Sequence, residues 1–235
     1  TNNSITAAVN GIQVGGRNLL KGTRLLAGSS FNGSVGDGST FIANDYSSFT
    51  SVSHSYTSFN SLGYRELLYW SNVITPTPNT YYVLSFYAKS TVEGDTITSY
   101  FYPDTQISIG DGATNTTLTT EWAKYVVTWH TKSDISGVKS IVIARLPIGK
   151  GTGTASVCGV KFEEGNKATD WSPAPEDVDA NIATAQSTAD AAGLAASNAQ
   201  TSANTANSAI AEMTSDDKIT AQEKQAMKTE WDSIV

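Results

Sequence analysis

Aromatic residues stop almost completely two thirds of the way along this chain, and that break divides what it can fold into. Among the Trp, Tyr and Phe residues only Trp231 lies beyond Trp171. A sizeable hydrophobic core can therefore form before Trp171 and hardly any after it. Just past Trp171, Pro173-Ala174-Pro175 is followed by Glu176, Asp177 and Asp179. Acidic residues in that position suit the first turn of a helix, where the macrodipole favours them.

Before the break the chain is dense in Ser, Thr, Tyr, Gly and Val, with turn clusters between short β-prone runs. That punctuation predicts an all-β sandwich or barrel over 14–172. The clearest strand, 81–89, alternates. Tyr82, Leu84, Phe86 and Ala88 share the face expected in the core, and Tyr81, Val83, Ser85, Tyr87 and Lys89 face outward. In 97–102, Ile97, Ser99 and Phe101 oppose Thr98, Tyr100 and Tyr102. In 124–131, Tyr125, Val127 and Trp129 oppose Val126, Thr128 and His130. Further strands are expected at 65–74, 138–146 and 154–163. Turns are expected at Gly94-Asp95, at 110–112 and at 149–153, where positive φ is easy for glycine. Residues 27–62, rich in Ser, Gly and Asn, read as long loops or irregular edge strands.

After the break, Ile182, Ala185, Ala189, Ala192, Ala196, Ala199, Ala203, Ala206, Ile210 and Met213 are spaced alternately by three and four. Ten consecutive matches without a polar residue predict a coiled-coil seam over 181–213. An Ala/Ser/Thr-rich linker has a similar composition, but not this register. Alanine buries little area at ~25 cal/mol per Å², so the seam is weak per residue. Its e and g positions carry few charges that could choose a partner. Homo-oligomerisation through the seam is expected, with folding back onto another helix as the alternative. Beyond it, Thr220 and Glu223 fit a capping box opening a further helix, with Met227, Trp231 and Ile234 at helical spacing. The expected organisation is then the end of a preceding segment (1–13), the sandwich (14–172), a Pro/acidic linker (173–180), the heptad helix (181–213) and a further helical segment (214–235). Thr1 and Val235 read as internal positions of a larger protein.

Charge and motifs remove most function classes. A net charge of −7 without any Lys/Arg run argues against nucleic-acid backbones and anionic membranes. No apolar run approaches the ~18 residues of a membrane span, and no signal-peptide pattern opens the chain. The single Cys158 excludes an internal disulfide and reads as a small buried strand residue. Neither His54 nor His130 sits in a catalytic motif. Glu163 and Glu164, as strand neighbours, point to opposite faces and cannot jointly flank a glycosidic bond, so they read as solvated surface; Asp95 and Asp104 are the other carboxylates of the β region considered. The chain is therefore not expected to be an enzyme. No cofactor is expected, with structural calcium left open. Residues 216–223 resemble the second half of an EF-hand loop, making Asp216 and Glu223 weak candidates, although Asp217 replaces the loop glycine and the capping box explains Glu223 without metal. Loops holding Asp37, Asp45 and Asp111 have no diagnostic spacing.

The remaining signal is aromatic. Sugars present apolar C–H faces and hydroxyls, so their sites pair an aromatic platform with a few polar groups. The candidate carbohydrate-binding set is Arg65, Trp70 (beside Tyr69), Tyr87, Lys89, Tyr100, Tyr102 and His130. Exposed tyrosine is also ordinary on a sheet. Trp122 and Trp129 are expected in the core.

Specific strings add a resemblance. Gly15-Gly16-Arg17-Asn18-Leu19-Leu20-Lys21-Gly22-Thr23 resembles the opening of carbohydrate-binding modules in tail and baseplate proteins of phages infecting Gram-positive bacteria. The run Tyr82-Val83-Leu84-Ser85-Phe86-Tyr87-Ala88-Lys89-Ser90 resembles them too. Most specific is 160–177, Val160-Lys161-Phe162-Glu163-Glu164-Gly165-Asn166-Lys167-Ala168-Thr169-Asp170-Trp171-Ser172-Pro173-Ala174-Pro175-Glu176-Asp177, which is similar to runs closing such modules in streptococcal and lactococcal phage proteins. Residues 215–234 resemble a helical segment of the same proteins, and accessory baseplate proteins of lactococcal phages are also similar. The resemblance implies a two-sheet jelly-roll β-sandwich and a place on the virion, at the tail tip or baseplate. It implies other tail proteins as partners, and adsorption to bacterial cell-wall polysaccharide. The alternative is a structural tail decoration or spacer without sugar binding. No motif carries sugar-contacting residues over from the family.

The seam has a direct check. Residues 176–235 alone should sediment as an oligomer or behave as an unfolded monomer; a stable helical monomer contradicts the coiled-coil reading.

Overall fold

The computed structural model describes residues 12–27, 31–56, 65–102, 107–109, 113–146, 152–215 and 219–235. It divides into two compact units, 1–180 and 181–235. Among the described residues the first unit holds eleven strands: β1 (Ser34–Val35), β2 (Thr40–Tyr46), β3 (Phe49–Tyr56), β4 (Arg65–Ile74), β5 (Tyr81–Ser90), β6 (Thr96–Tyr102), β7 (Ile107–Ile109), β8 (Ala113–Thr117), β9 (Ala123–Thr131), β10 (Lys139–Leu146) and β11 (Gly153–Glu164). They form a five-stranded sheet, β1-β4-β10-β6-β8, and a six-stranded sheet, β2-β3-β11-β5-β9-β7. Every ladder is antiparallel. From β4 onward each successive strand belongs to the other sheet, the crossing pattern of a jelly-roll sandwich.

Period-2 patterning explains the core. Tyr82, Leu84, Phe86 and Ala88 of β5 are buried, as are Ile97, Ser99 and Phe101 of β6. Val127 and Trp129 of β9 join them, and the Phe101 and Trp129 rings meet edge to face across the sheets at 6.1 Å. Tyr82 stacks on Phe162 at 5.3 Å. Trp70, expected outside, is fully buried. It meets Phe31 edge-on at 5.5 Å, and its indole N–H donates to Asn32 Oδ1 at 3.0 Å. A tryptophan enters a core when its one polar atom finds an acceptor at the rim, as here.

The serine-rich stretch 27–62 also departs from expectation. β1 and β2 are edges, but β3 lies between β2 and β11 and is almost wholly buried. Its hydroxyls bond sideways along the sheet: Ser51 Oγ donates to Asp45 Oδ2 at 2.6 Å, and Ser53 pairs with Ser156 at 2.7 Å. Lateral pairing makes an interior strand of residues with little intrinsic strand preference.

Around β11, the outer face of the six-stranded sheet is covered by the chain's own entering and leaving segments. Residues 12–23 run beside 166–177, joined by a parallel bridge between Val14 and Lys167. Gln13 N donates to Asn166 Oδ1 at 2.9 Å, and Asn166 N to Gln13 O at 2.8 Å. Asn18, fully buried, is the hub. Its amide donates to Thr23 Oγ1 and to the carbonyls of Val160 and Ser172, and its oxygen accepts from Leu20 N and Phe162 N. Beneath this cover Lys161 and Glu163 form a buried ion pair at 3.4 Å. Glu163 is thus not the solvated residue expected. It also accepts from Thr169 N and Oγ1, while Lys161 donates to Asp170 O. Further along, Asp177 accepts Gly22 N with both carboxylate oxygens, and Arg17 pairs with Glu176.

α1 (Pro175–Thr214) opens with Glu176 and Asp177 in its first turn. In the helical unit Ile182, Leu194 and Ile210 are exposed. α2 (Ala221–Ile234) begins with the capping box: Thr220 Oγ1 accepts from Glu223 N at 3.2 Å, and Glu223 accepts from Thr220 N. Trp231 and Ile234 lie exposed on it. No described helix is long and apolar enough to cross a membrane.

The clasp makes a stability prediction. Lys161→Met should lower urea-denaturation stability by about 3–5 kcal/mol, because Glu163 stays buried without its cation. Lys161→Met with Glu163→Leu should cost less than that single change. A loss below about 1 kcal/mol for Lys161→Met contradicts the assignment.

A candidate binding cleft on the five-stranded sheet

Three β-bulges decide which side chains share a face. On β10, Val142 and Arg145 register with Tyr100 and Thr98 of β6, three residues against two. The extra residue sends Ile143 and Ala144 both into the core and leaves Val142 and Arg145 both outside. On β4, Leu68 pairs with Ala144 and Glu66 with Arg145, so Leu67 is the extra residue. Leu67 and Leu68 are both buried, and Glu66 and Tyr69 come to the outer face. On β11 a third bulge, between Cys158 and Lys161, turns Val160 inward and Lys161 outward. Gly159 sits there at φ +55, and a Cβ would meet the Tyr87 ring at 2.9 Å, so the position needs glycine.

The first two bulges complete a cleft of about 290 Å³ on the outer face of the five-stranded sheet. It is lined by Glu66, Tyr69, Ser71, Tyr100, Tyr102, Ser140, Val142 and Arg145. Tyr102 is 60% exposed, whereas Tyr100 is buried to its rim. The Tyr100 hydroxyl donates to Glu66 Oε1 at 2.5 Å and accepts from Arg145 Nη2. Arg145 Nη2 also lies 3.3 Å from Glu66 Oε1, and its guanidinium sits 4.1 Å from the Tyr100 ring centre. Burial, and then the hydrogen bond to Glu66, raises the Tyr100 pKa, so the phenol stays protonated and donating. The cleft therefore offers an exposed ring beside an ordered set of donors and acceptors.

The candidate residues separate. Tyr100 and Tyr102 are together in this cleft. Tyr87, Lys89 and His130 lie on the outer face of the opposite sheet, and Trp70 is inside. Arg65 pairs its backbone with Leu146, and its side chain lies outside the described residues. Tyr69, Glu66, Ser71, Ser140 and Arg145 were not in the predicted set. Strict alternation puts residues 142 and 145 on opposite faces, so the bulges hide Arg145 from a period-2 reading.

On the opposite sheet the aromatics satisfy one another. Tyr87 packs on Tyr46 at 4.8 Å and Phe49 at 6.1 Å, and Tyr46 packs on Trp122 at 5.3 Å. Trp122, expected in the core, is half-buried in this cap, with the Lys89 ammonium 4.8 Å from its ring centre. His130 meets Tyr81 edge-on at 4.4 Å. Cys158 is fully buried, and burial pushes its thiol up to about 12. Among the described residues no three His, Cys, Asp or Glu side chains converge on a metal-binding point. Asp111 and Asp216 lie outside the described residues, Asp45 accepts from Ser51, and Glu223 is engaged by Thr220.

No family model matches the chain, and no curated protein does. Solved structures are similar at low identity. A candidate sugar binding protein from Bacteroides thetaiotaomicron is 16% identical over 63% of this chain and 100% of its own, with a TM-score of 0.45. TmCBM61 in complex with β-1,4-galactotriose is 14% identical over 63% and 98%, with a TM-score of 0.43. The N-terminal cellulose-binding domain of a Cellulomonas fimi β-1,4-glucanase is 14% identical over 60% and 100%, with a TM-score of 0.38. At such identities and scores no site residue and no ligand transfers to this chain, whose two-sheet build stands on its own pairing registers.

Proposed function

We propose that the sandwich is a saccharide-binding module whose site is the cleft around Tyr69, Tyr102 and the Glu66–Tyr100–Arg145 network. The observation that carries this reading is an exposed tyrosine ring beside a hydrogen-bonded charged pair, in an open groove on a sheet face. A pyranose can lay its C–H face on such a ring while its hydroxyls meet the polar rim. The site binds rather than cleaves. Hydrolysis calls for two carboxyl groups flanking one bond, and Glu66 is the only carboxylate among the described lining residues.

The strings at 15–23 and 160–177 support a finer reading. The module belongs to a phage tail or baseplate, where it adsorbs to the cell-wall polysaccharide of a Gram-positive host. The alanine seam assembles copies into a stalk beside other tail proteins. A single shallow cleft binds weakly, and repetition on a virion raises avidity through effective concentration.

Titration with purified host cell-wall polysaccharide should give a Kd on the order of 1 mM or tighter. Tyr102→Ala should weaken it about tenfold, equivalent to about 1.4 kcal/mol. Because Tyr102 is mostly exposed, the Tm should move by no more than about 2 °C. No binding by the unaltered protein favours the spacer alternative. Unchanged binding by Tyr102→Ala places the site elsewhere.

A further inference from the structure

We infer that this cleft selects electrically neutral glycan over phosphate- or carboxylate-bearing polymer, and that Glu66 imposes the choice. The inference rests on the saccharide reading of the same cleft and deepens it.

Among the described lining residues Arg145 is the sole cation and Glu66 the sole anion. An arginine beside an aromatic ring in an open groove is, taken alone, a ready receptor for phosphate or carboxylate, which its planar fork can grip bidentately. Here one arm of that fork, Nη2, is already engaged. Glu66 Oε1 lies 3.3 Å from Arg145 Nη2, and the Tyr100 hydroxyl bridges the same two groups. The guanidinium rests on the Tyr100 ring, which holds the fork in place. An incoming anion would meet a cation and an anion only 3.3 Å apart, so repulsion from Glu66 offsets a substantial part of the attraction to Arg145. It would also approach a chain of net charge −7. A neutral sugar meets neither obstacle. It gains the exposed Tyr102 ring and a polar rim whose geometry is set before binding.

The arrangement makes a gain-of-function prediction. Glu66→Gln keeps an acceptor for Tyr100 and Arg145 but removes the balancing charge, leaving a net cation in the cleft. The full chain would be titrated with intact phosphate-bearing cell-wall polysaccharide from one Gram-positive bacterium and with the same polymer after dephosphorylation. Each titration would be done at roughly 20 and roughly 300 mM NaCl. The unaltered protein should bind the dephosphorylated polymer at least as well as the intact one, with a Kd that changes less than about twofold between the two salts. Glu66→Gln should bind the intact polymer at least about fivefold more tightly than the unaltered protein does at low salt, and should lose that gain at high salt.

Two results overturn the inference and leave saccharide binding standing. One is an unaltered protein that binds the phosphate-bearing polymer about tenfold better, with affinity falling steeply in salt. The other is a folded Glu66→Gln protein with an unchanged preference. If Glu66→Gln fails to fold, the polymer and salt series on the unaltered protein still tests the selectivity. Binding to neither polymer refutes the saccharide reading itself, and this inference with it.

Discussion

An ion pair that sees no water ties this module's leaving segment to its sheet. Lys161 and Glu163 stand on the outer face of the six-stranded sheet, where an ordinary sandwich would meet solvent. Two charges removed from water are tolerated only when every remaining bond is met, so a cover must exist and its polar groups must fit. Residues 166–177 supply the pair's polar partners through Thr169 and the carbonyl of Asp170, and Gly15 packs against Glu163. Among the described residues, the open groove lies on the opposite sheet. The remaining aromatics of the covered side close on one another around Tyr46, Tyr87 and Trp122.

Much of the sandwich was legible in the sequence because burial on one face writes itself as alternation. β5 and β6 show this residue by residue, and their inward sets are the core. Legibility failed where the period itself slips. Leu67 on β4 and the extra residue on β10 each shift the pattern by one, so Arg145 and Glu66 join Tyr100 and Tyr102 without any signal in a two-residue period. Trp70 departs from expectation for another reason: it shares the inward face with Leu68, two residues away, and Tyr69 is its strand's outward aromatic. β3 was obscured differently: its serines look like loop residues until partners on both sides engage their hydroxyls. Tyr87, Lys89 and His130 do face outward, but a face is not a site, and two sheets supply two outward faces.

Two of the runs that carry the resemblance, 15–23 and 160–177, also build the clasp. Asn18 has five internal bonding partners, and Lys161, Glu163, Thr169 and Trp171 each serve the same network. Changing any of them strands a buried polar group, which costs about 1–3 kcal/mol or more. Within the cleft Tyr102 carries no such constraint, because it reaches solvent. Resemblance in these strings therefore identifies a scaffold, and the ligand has to be read from the groove.

The parallel course of the two covering segments also decides how the sandwich would carry load. Val14 lies beside Lys167, and the segments continue in one direction through Gly16 beside Ser172 to Gly22 beside Asp177. A pull on the chain before residue 12 and after residue 177 drags these neighbours past each other along their common axis. Their hydrogen bonds then resist together in shear; they cannot unzip one at a time. A module fastened in this way would yield abruptly and at higher force than one whose ends peel apart, and the cleft on the far sheet would keep its shape until the clasp gave way.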